Sequence, residues 1–294
     1  MIVSEKTVKS VLPNICDIRK EVLETVLEST NRLTQGELEK KLSHKLPTNK
    51  KALSAAIKGL VADGELVYTY QFGCSFLERS FNKPVKISKH IVLKPHGTRY
   101  PSKPDEVVIE LRHGAAFGYG EHPTTRLAIR GIEAVLSKDS FAEKAKNHRA
   151  LDIGTGSGVL AIAAVALGAK AALGIDIDPC AVAEARENVK INRFEDRIEI
   201  DGRGIETIAE TFTLILANLR YPTLKKLCGH ITGLTEKGGA IVVSGIKTSE
   251  VNDLVDIYRE RRFHCERKEI EKDWAGLVLV RHPNISCFKN FVFS

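Results

Sequence analysis

The sequence lacks the features of a metal protein, a disulfide-stabilised protein or a membrane protein. Its six cysteines are scattered and form no C-x-x-C pair, which argues against a zinc site and for a reducing compartment. The longest apolar run, residues 159–169, is too short to cross a bilayer. Residues 1–20 contain no apolar segment of the kind that signal peptides have. We therefore expect a cytoplasmic protein with no bound metal and no membrane partner.

The charge of the chain is unevenly distributed. The length of 294 residues suggests two domains, and a content of 43% hydrophobic residues is ordinary for a globular protein. The net charge is +7. Between Lys83 and Lys103 there are six Lys or Arg and no Asp or Glu, and four prolines between residues 82 and 104 favour an extended backbone. We predict a basic linker at residues 81–106, between a small domain at 1–80 and a larger one at 107–294. Such a linker is either solvated or attracts nucleic acid or an acidic protein surface.

The small domain is predicted to have three short helices followed by a β-hairpin. Apolar residues recur at helical spacing in the first segments, and Asp63-Gly64 and Phe72-Gly73 mark the turns before the two strands. The segments are helices at residues 18–29, from Thr34, and ending near Ala62, and strands at residues 65–70 and 74–77. Thr34 and Glu37 have the spacing of a capping box, which marks the start of the second helix. This element order resembles a winged helix.

The sequence leaves the partner of this domain open. The third helix carries Lys50, Lys51 and Lys58, as a helix that lies in a DNA groove would. Between Ile18 and Gly64, however, nine Lys or Arg stand against six Asp or Glu, and the third helix has no Arg to contact guanine. Dimerisation or the binding of a protein substrate is therefore an alternative to nucleic-acid binding.

The segment from Ala150 to Pro179 has the pattern of a nucleoside-binding unit. A short apolar strand leads into Gly154-Thr155-Gly156-Ser157-Gly158, an apolar helix follows, and a second strand ends at Asp176. Ligands of open α/β sheets bind at the carboxyl ends of the strands, where glycines let the backbone approach and an acid can bind a ribose.

The spacing of the glycines indicates which nucleoside is bound. A dinucleotide site needs G-x-G-x-x-G to place a pyrophosphate on the helix N-terminus, and a phosphate loop needs a following Lys-Ser/Thr. This turn has the spacing G-x-G-x-G and neither feature. A nucleoside without phosphates and with an amino-acid tail fits better, and S-adenosylmethionine is the common one.

A glycine-rich loop, AAFGYGEHPTT at residues 115–125, precedes a helix predicted at residues 125–136. The start of that helix offers free N–H groups, which can hold the carboxylate of a methionine tail with help from a threonine hydroxyl. Capping of the helix by the threonines is the structural alternative. His122 in this loop is either a structural residue or a base.

The remaining segments alternate between strand and helix, which predicts a doubly wound, mostly parallel α/β sheet. Predicted strands are residues 107–111, 197–201, 212–219 and 240–244, and the pair 263–269 and 276–281 gives an antiparallel edge. Predicted helices are residues 180–192 after an Asp178-Pro179 cap, 221–234 and 251–261. The tail at residues 283–294 is apolar enough to pack against the protein.

Four segments together resemble the class I S-adenosylmethionine-dependent methyltransferases, which have a Rossmann-like fold, and more narrowly the ribosomal protein L11 methyltransferase family. They are AFGYGEHPTT, LDIGTGSGVLAIAAVALGA, GIDIDPCAVAEARENVKIN, and LILANL followed by GGAIVVSGI. That family binds its cofactor through a threonine, a glycine, an acid and an asparagine. The matching motif positions in this chain are Thr125, Gly154, Asp176 and Asn218.

The resemblance implies an enzyme that uses S-adenosylmethionine to methylate a protein amine, on a lysine side chain or at an N-terminus. With the flanking members of the same motifs, the expected cofactor-binding residues are Phe117, Gly118, Thr124, Thr125, Asp152, Gly154, Gly156, Gly158, Asp176, Ile177 and Asn218. Asn218 is also the expected catalytic residue, because its side-chain carbonyl can orient the amine. The expected partner is a protein substrate, ribosomal or otherwise basic.

One departure from the family keeps the methyl acceptor open. The family's usual N-terminal domain, which docks the ribosomal protein, is not a winged helix. Asn218 is followed by Leu-Arg-Tyr-Pro and not by the N-P-P-Y type of continuation that would hold a planar base nitrogen, which weighs against adenine N6 methylation. The alternatives are a methyltransferase for RNA or a small molecule, and a cofactor-sensing DNA-binding regulator with nucleic acid as the partner of its winged helix and linker.

Overall fold

The computed structural model describes residues 14–29, 31–71, 73–112, 114, 117–120, 122–137 and 148–282. The chain divides into two compact units, Met1–Ser80 and Phe81–Ser294. The tail at residues 283–294 and positions 115, 116 and 121 of the glycine-rich loop lie outside the described residues, so the expected packing of the tail stays a prediction. None of the helices in the described ranges combines the length and the apolar character that crossing a bilayer requires.

The N-terminal unit contains three helices and a three-stranded antiparallel sheet. In chain order its elements are α1 (Ile15–Glu28), β1 (Leu33–Thr34), α2 (Gln35–Ser43), α3 (Lys50–Ala62), β2 (Leu66–Gln71) and β3 (Cys74–Arg79). The strand order is β1-β3-β2. The predicted helices and hairpin are confirmed as elements, and the short strand β1 is an addition. Helix, strand, helix, helix and hairpin is the element order of a winged helix.

Side-chain caps fix the starts of the second and third helices. Thr34 Oγ1 accepts a hydrogen bond from Glu37 N at 3.3 Å, and Glu37 accepts one from Thr34 N at 2.9 Å, so the predicted capping box is present. Asn49 caps α3 by accepting from Ala52 N at 2.8 Å. The apolar faces of the helices and the hairpin form a separate core around Val22, Leu38, Leu42, Ile57, Leu66 and Leu77.

The prediction of an extended basic linker at residues 81–106 is wrong. This segment is part of the second unit and contains β4 (Val85–Lys86) and β5 (Ile91–Pro95). These strands pair with β6 (Val107–Leu111) in a three-stranded sheet. The physical reason is that the apolar side chains of this segment are buried. They belong to the core of the second unit and are Phe81, Val85, Ile87, Ile91 and Leu93.

Two lysines of this segment are also neutralised by ion pairs. Lys86 Nζ lies 3.0 Å from Glu106 Oε1, and Lys94 Nζ lies 2.5 Å from Glu110 Oε2. The pKa of Glu106 falls to about 2, because the backbone N–H of Lys103 and the Lys86 ammonium both donate hydrogen bonds to its carboxylate. The segment is therefore not the uniformly basic surface that its composition indicates.

The second unit is built on a seven-stranded sheet. Its further elements are α4 (Pro123–Leu136), β7 (Arg149–Ile153), α5 (Val159–Ala166), β8 (Ala171–Ile175), α6 (Pro179–Ile191), β9 (Ile198–Asp201), β10 (Phe212–Asn218), α7 (Tyr221–Leu234), β11 (Thr235–Lys247), α8 (Val251–Arg259), β12 (Phe263–Glu271) and β13 (Trp274–Arg281). The strand order is β12-β13-β11-β10-β7-β8-β9. Five strands are parallel to one another: β11, β10, β7, β8 and β9. The hairpin of β12 and β13 forms an antiparallel edge next to β11. The predicted doubly wound, mostly parallel sheet is confirmed.

Alternating side chains give each face of the sheet its own core. In β10, Leu214 and Leu216 pack in the cluster that includes α4, α5 and α6. Ile215 and Ala217 belong to the cluster on the other face, with α7 and α8. Because both faces are covered, the strand is a continuous apolar run. Because these strands run in the same direction, their carboxyl ends lie along one side of the sheet, where a ligand site is expected.

Two boundaries differ from the prediction for local reasons. α4 begins at Pro123 because His122, and not a threonine, is its N-cap: the His122 ring accepts from Thr124 N at 3.3 Å. β11 begins at Thr235, where it pairs with Phe212 before a shift of register. The predicted cap of α6 is confirmed, since Asp178 accepts from Cys180 N at 2.9 Å.

Candidate functional site

The turn between β7 and α5 is shaped by three glycines. Gly154, Gly156 and Gly158 have φ angles of +69°, +54° and +81°, which residues with a Cβ rarely adopt. Gly154 N and Thr155 N both donate to Ile175 O, at 2.9 and 3.0 Å, and so join this glycine turn to the end of β8. The turn therefore lies at the carboxyl ends of two adjacent parallel strands, as the sequence predicts.

Asp176 follows β8 and holds two backbone N–H groups. Its Oδ2 accepts from Gly156 N and its Oδ1 from Asp178 N, both at 3.0 Å. The residue is half-buried, and each carboxylate oxygen keeps a second lone pair for another donor. Ile177 beside it is 83% exposed. An acceptor group and a free apolar side chain thus stand next to each other at this edge of the sheet.

Asp152 lies beneath the glycine turn and is fully buried. Its Oδ2 accepts from Thr155 Oγ1 at 2.7 Å and from Ala161 N at 3.2 Å. Its Oδ1 has no hydrogen-bond partner within the described part of the chain. Burial raises the pKa of Asp152 to about 7, and the charge of Asp176 contributes to the rise. This carboxyl group therefore titrates near neutral pH.

The loop before α4 packs directly on the glycine turn. Phe117 O accepts from Ser157 N at 2.9 Å, and a Cβ on Gly156 would come within 2.5 Å of that oxygen. Gly118, with φ +118°, has Ser157 Oγ 2.7 Å from the position of a Cβ. Ser157 Oγ is buried and has no partner among the residues described. Phe117 itself is 53% exposed, so the two loops form one surface with an aromatic ring at its edge.

The start of α4 meets the end of β10. Thr124 and Thr125 are both buried, and Asn218 Nδ2 lies 3.5 Å from Thr125 Oγ1, at the outer limit of a hydrogen bond. Ser244 Oγ donates to Thr124 O at 2.9 Å, which fixes the helix start against β11. With its amide N–H directed to Thr125, Asn218 keeps its Oδ1 as an acceptor.

The residues predicted from the sequence fall into two groups. One surrounds the glycine turn: Phe117, Gly118, Asp152, Gly154, Gly156, Gly158, Asp176 and Ile177. The other lies at the start of α4: Thr124, Thr125 and Asn218. Leu219 connects them, because its Cδ2 would lie 2.7 Å from a Cβ on Gly154. The structure brings each group together by direct contacts, except that Ile177 adjoins Asp176 in the chain only.

Sequence reasoning missed Arg126, which supports the loop before α4. Its Nη1 donates to Gly120 O at 2.7 Å, and its Nε donates to Glu271 Oε1 at 2.8 Å. Arg130 Nη2 pairs with Glu271 Oε2 at 2.6 Å. Burial raises the pKa of Glu271, but the two guanidinium groups outweigh it and hold that pKa below its usual value. The only signal in the sequence is a pair of arginines at (i, i+4), since Glu271 is 145 residues from Arg126.

An aromatic cluster next to this loop was also missed. The His122 ring lies between Phe117 and Trp274, with centroid distances of 5.4 and 4.8 Å. Lys247 Nζ lies 3.8 Å from the centroid of the Trp274 ring. These contacts and its capping bond favour the structural role of His122 over that of a base. The signal in the sequence is Trp274, the one tryptophan of the chain.

Comparison with known proteins agrees with this arrangement. The profile of the family "Ribosomal protein L11 methyltransferase (PrmA)" matches residues 78–282. A curated ribosomal protein L11 methyltransferase from Heliobacterium modesticaldum is 34% identical over 204 residues, which is 69% of this chain and 62% of the relative. One from Geobacter sulfurreducens is 37% identical over 195 residues, 66% of this chain and 62% of the relative. The chain thus matches less than two thirds of the length of these relatives.

A solved structure gives the same result. The crystal structure of a ribosomal protein L11 methylase from Lactobacillus delbrueckii subsp. bulgaricus superposes with a TM-score of 0.61 at 31% identity, over 68% of this chain and 99% of that one. The seven-stranded sheet is the one typical of class I methyltransferases. The glycine turn, the acid after β8 and the asparagine at the end of β10 all lie within the matched residues. The chain belongs to the ribosomal protein L11 methyltransferase (PrmA) family.

Proposed function

We propose that this chain is an S-adenosylmethionine-dependent methyltransferase that acts on protein amines. Family membership supports the proposal, and one structural observation carries it: the hydrogen bond from Gly156 N to Asp176 Oδ2. This bond holds an open glycine backbone and an acid together at the ends of β7 and β8. Such an edge suits a nucleoside with an amino-acid tail.

Each part of the cofactor has a matching group in the site. The free lone pairs of Asp176 suit the ribose hydroxyls, and the exposed Ile177 side chain suits the flat adenine ring. The positive end of the α4 dipole, with the Thr125 hydroxyl, suits the methionine carboxylate. Gly154 and Gly156 let the chain approach without side chains, and Phe117 adds an exposed ring at the edge.

Two buried polar atoms favour a polar ligand at the glycine turn. Asp152 Oδ1 and Ser157 Oγ lack hydrogen-bond partners within the described ranges. Buried polar atoms are nearly always hydrogen-bonded, to protein or to ordered water. A ligand with amine and hydroxyl groups would supply partners, directly or through water. A purely apolar ligand would leave both atoms unpaired.

The main task of the chain in methyl transfer is to position the acceptor. S-adenosylmethionine carries a methyl group already activated by its sulfonium, so the acceptor needs to be held in line with it. A lysine ammonium has a pKa of about 10.4 and must lose a proton before its nitrogen attacks. Removal from water lowers that pKa. Asn218 Oδ1, with its amide N–H turned to Thr125, can accept an N–H of the neutral amine and orient its lone pair.

We propose ribosomal protein L11 as the substrate, methylated on a lysine or at its N-terminus. The support is the name shared by the relatives, together with the match of residues 78–282. Residues 1–77 lie outside that match, so substrate recognition requires a direct test. A cytoplasmic location belongs to the same proposal.

The test is methyl transfer by the purified full chain. Labelled S-adenosylmethionine is incubated with unmethylated ribosomal protein L11, with ribosomal RNA, and with a small-molecule extract. We expect label in the protein, released by protease and not by nuclease, on an amine nitrogen located by mass spectrometry. An Asp176→Ala enzyme should transfer none, and Asp196→Ala, which changes an exposed acid at the amino end of β9, should remain active. Label in RNA or in a small molecule would overturn the protein substrate.

A further inference from the structure

Charges in the N-terminal unit are separated along the chain. Residues 40–62 contain six lysines and no Asp or Glu, whereas α1 carries four acidic residues, Asp17, Glu21, Glu24 and Glu28. The lysines lie at the end of α2, in the connection to α3, and on α3 itself. The modest excess of nine Lys or Arg over six Asp or Glu between Ile18 and Gly64 therefore hides a strongly positive region.

Three of these lysines form a strip on α3. Lys50, Lys51 and Lys58 are exposed, and at 100° per residue they fall within one arc of about 100° on the helix. The opposite side of α3 is buried in the core of the unit through Leu53, Ala56, Ile57 and Leu60. We call Lys50, Lys51 and Lys58 the lysine strip.

The lysine strip has no ion-pair partners among the described residues. Lys45, just before α3, differs: its Nζ lies 3.2 Å from Glu21 Oε1. None of the carboxylates in the described ranges reaches Lys50, Lys51 or Lys58 in this way, and α3 has no acidic residue. An unpaired cluster of like charges on a folded surface attracts a polyanion.

The shape of the strip suits a groove. Lys50 and Lys58 are eight residues apart, which at 1.5 Å per residue is about 12 Å, close to the width of the major groove of duplex DNA. Between them lie Ser54 and Ala55, whose small side chains permit close approach. The adjoining hairpin of β2 and β3 carries an exposed aromatic ring at Tyr70, 74% exposed. Winged helices that bind a duplex contact it through their third helix and their hairpin, which here are α3 and the hairpin of β2 and β3.

We propose that the lysine strip binds the phosphate backbone of duplex nucleic acid without reading its sequence. Lysine is a point charge that neutralises phosphate, whereas base readout in a groove is most often made by arginine, which α3 lacks. The groove-sized spacing and the exposed hairpin favour nucleic acid over an acidic protein surface. This binding does not depend on methyl transfer, so a binding assay tests it separately from the proposed function.

The test compares the full chain with two triple variants. K50Q/K51Q/K58Q removes the strip, and glutamine keeps the helix propensity of lysine. K170Q/K190Q/K226Q removes three exposed lysines of the second unit and is the matched control. The probes are labelled double-stranded DNA, double-stranded RNA, single-stranded RNA and polyglutamate. Affinity is measured by fluorescence anisotropy between about 50 and 200 mM salt, the range over which phosphate contacts weaken strongly, and circular dichroism checks folding.

We expect wild type and the control to bind a duplex probe alike, with affinity falling steeply as salt rises. K50Q/K51Q/K58Q should bind roughly tenfold or more weakly at ~100 mM salt. Its log–log salt slope should be smaller by about 2 to 3, since each phosphate contact contributes ~0.9. The DNA and RNA arms identify which duplex is preferred. Absence of duplex binding at the lowest salt, equal losses in both variants, or binding of polyglutamate alone would each overturn the proposal.

Discussion

The backbone N–H of Gly156 donates a hydrogen bond to Asp176 Oδ2 at 3.0 Å. The bond joins the turn after β7 to the first residue after β8, 20 residues further along the chain. A second bond, from Asp178 N to Asp176 Oδ1, fixes the same carboxylate from the other side. The acid is therefore held in one orientation before any ligand arrives.

Replacing this acid should remove cofactor binding and leave the fold intact. Asp176→Ala deletes the two acceptors proposed for the ribose, and hydrogen bonds to a charged group contribute about 1.5 to 3 kcal/mol each. We expect the affinity for S-adenosylhomocysteine, measured by calorimetry, to fall at least ~100-fold. Asp196→Ala changes an exposed acid at the amino end of β9, away from the ligand edge, and should bind within a few-fold of wild type. Undiminished binding by Asp176→Ala would refute the assignment of this residue.

A methyl group on Gly156 should damage the site more than its backbone angle alone requires. Its φ is +54°, and a Cβ would lie 2.5 Å from Phe117 O, a backbone atom that cannot easily move. We expect Gly156→Ala to lower the free energy of unfolding by more than ~2 kcal/mol. A left-handed backbone alone costs a residue with a Cβ only about 1 to 2 kcal/mol. The substitution should also displace Phe117 and weaken cofactor binding.

Gly238→Ala separates the two effects. Gly238 has a similar φ, +74°, and no described atom lies within 4 Å of the place that its Cβ would occupy. It should lose only ~1 to 2 kcal/mol in urea unfolding and bind cofactor normally. Equal losses in the two variants would mean that the contact with Phe117 O does not matter.

Local patterns predicted most of the second unit. A continuous apolar run placed β10, whose Leu214 and Leu216 face one core and Ile215 and Ala217 the other. The cap at Asp178 marked the start of α6. These features depend on residues that are close in the sequence, so they can be predicted from it. The site residues of the glycine turn were predicted for the same reason, although their binding roles stay predictions.

Features that depend on distant residues were not predicted. The lysines and prolines in residues 81–106 indicated a solvated segment, whereas Ile87, Ile91 and Leu93 are buried against elements far along the chain. The partner of Arg126 is Glu271, and nothing near either residue indicates the pairing. Net charge cannot locate the lysine strip either, because a sum over residues 18–64 says nothing about which side of a helix the lysines occupy.

Asn218 should affect the rate of methyl transfer more than cofactor binding. Its Nδ2 is directed to Thr125 and its Oδ1 is proposed to orient the amine. We expect Asn218→Ala to slow single-turnover methylation of ribosomal protein L11 about 100-fold, the size of effect that misplaced reactants produce. Affinity for S-adenosylhomocysteine should fall less than about tenfold. A variant that loses cofactor binding and rate in equal measure would assign Asn218 to the cofactor alone.

Arg126 should hold the loop before α4 in place. It donates to Gly120 O and to Glu271, and its removal leaves a half-buried carboxylate with Arg130 as its remaining partner. We expect Arg126→Gln to lower the free energy of unfolding by about 2 kcal/mol and to weaken cofactor binding through the loop. Arg112→Gln breaks an exposed pair with Glu187 and should change stability by less than ~1 kcal/mol. Normal cofactor binding by Arg126→Gln would restrict Arg126 to a stabilising role.

Asp152 should make stability depend on pH in a direction opposite to that of an ordinary acid. Burial raises its folded pKa to about 7, whereas the unfolded pKa is near 3.8. Between these values the folded chain keeps a proton that the unfolded chain has lost, so the contribution of this group to stability falls as pH rises from about 4 to 7. Above pH ~7 both states are ionised and the contribution is constant.

Asp152→Asn removes this titration with little change of shape. At about pH 4 and below, the wild-type carboxyl is neutral in both the folded and the unfolded chain, so the two proteins should have similar stabilities in urea. Between pH 5 and 7 the variant should gain on wild type by at most ~1.4 kcal/mol per pH unit, with no further gain by pH 8. Asp201→Asn, half-exposed and paired with Arg203, should show no such gain over this range. A constant difference between wild type and Asp152→Asn from pH 5 to 8 would mean that Asp152 stays ionised in the folded protein, which would require a partner for its Oδ1.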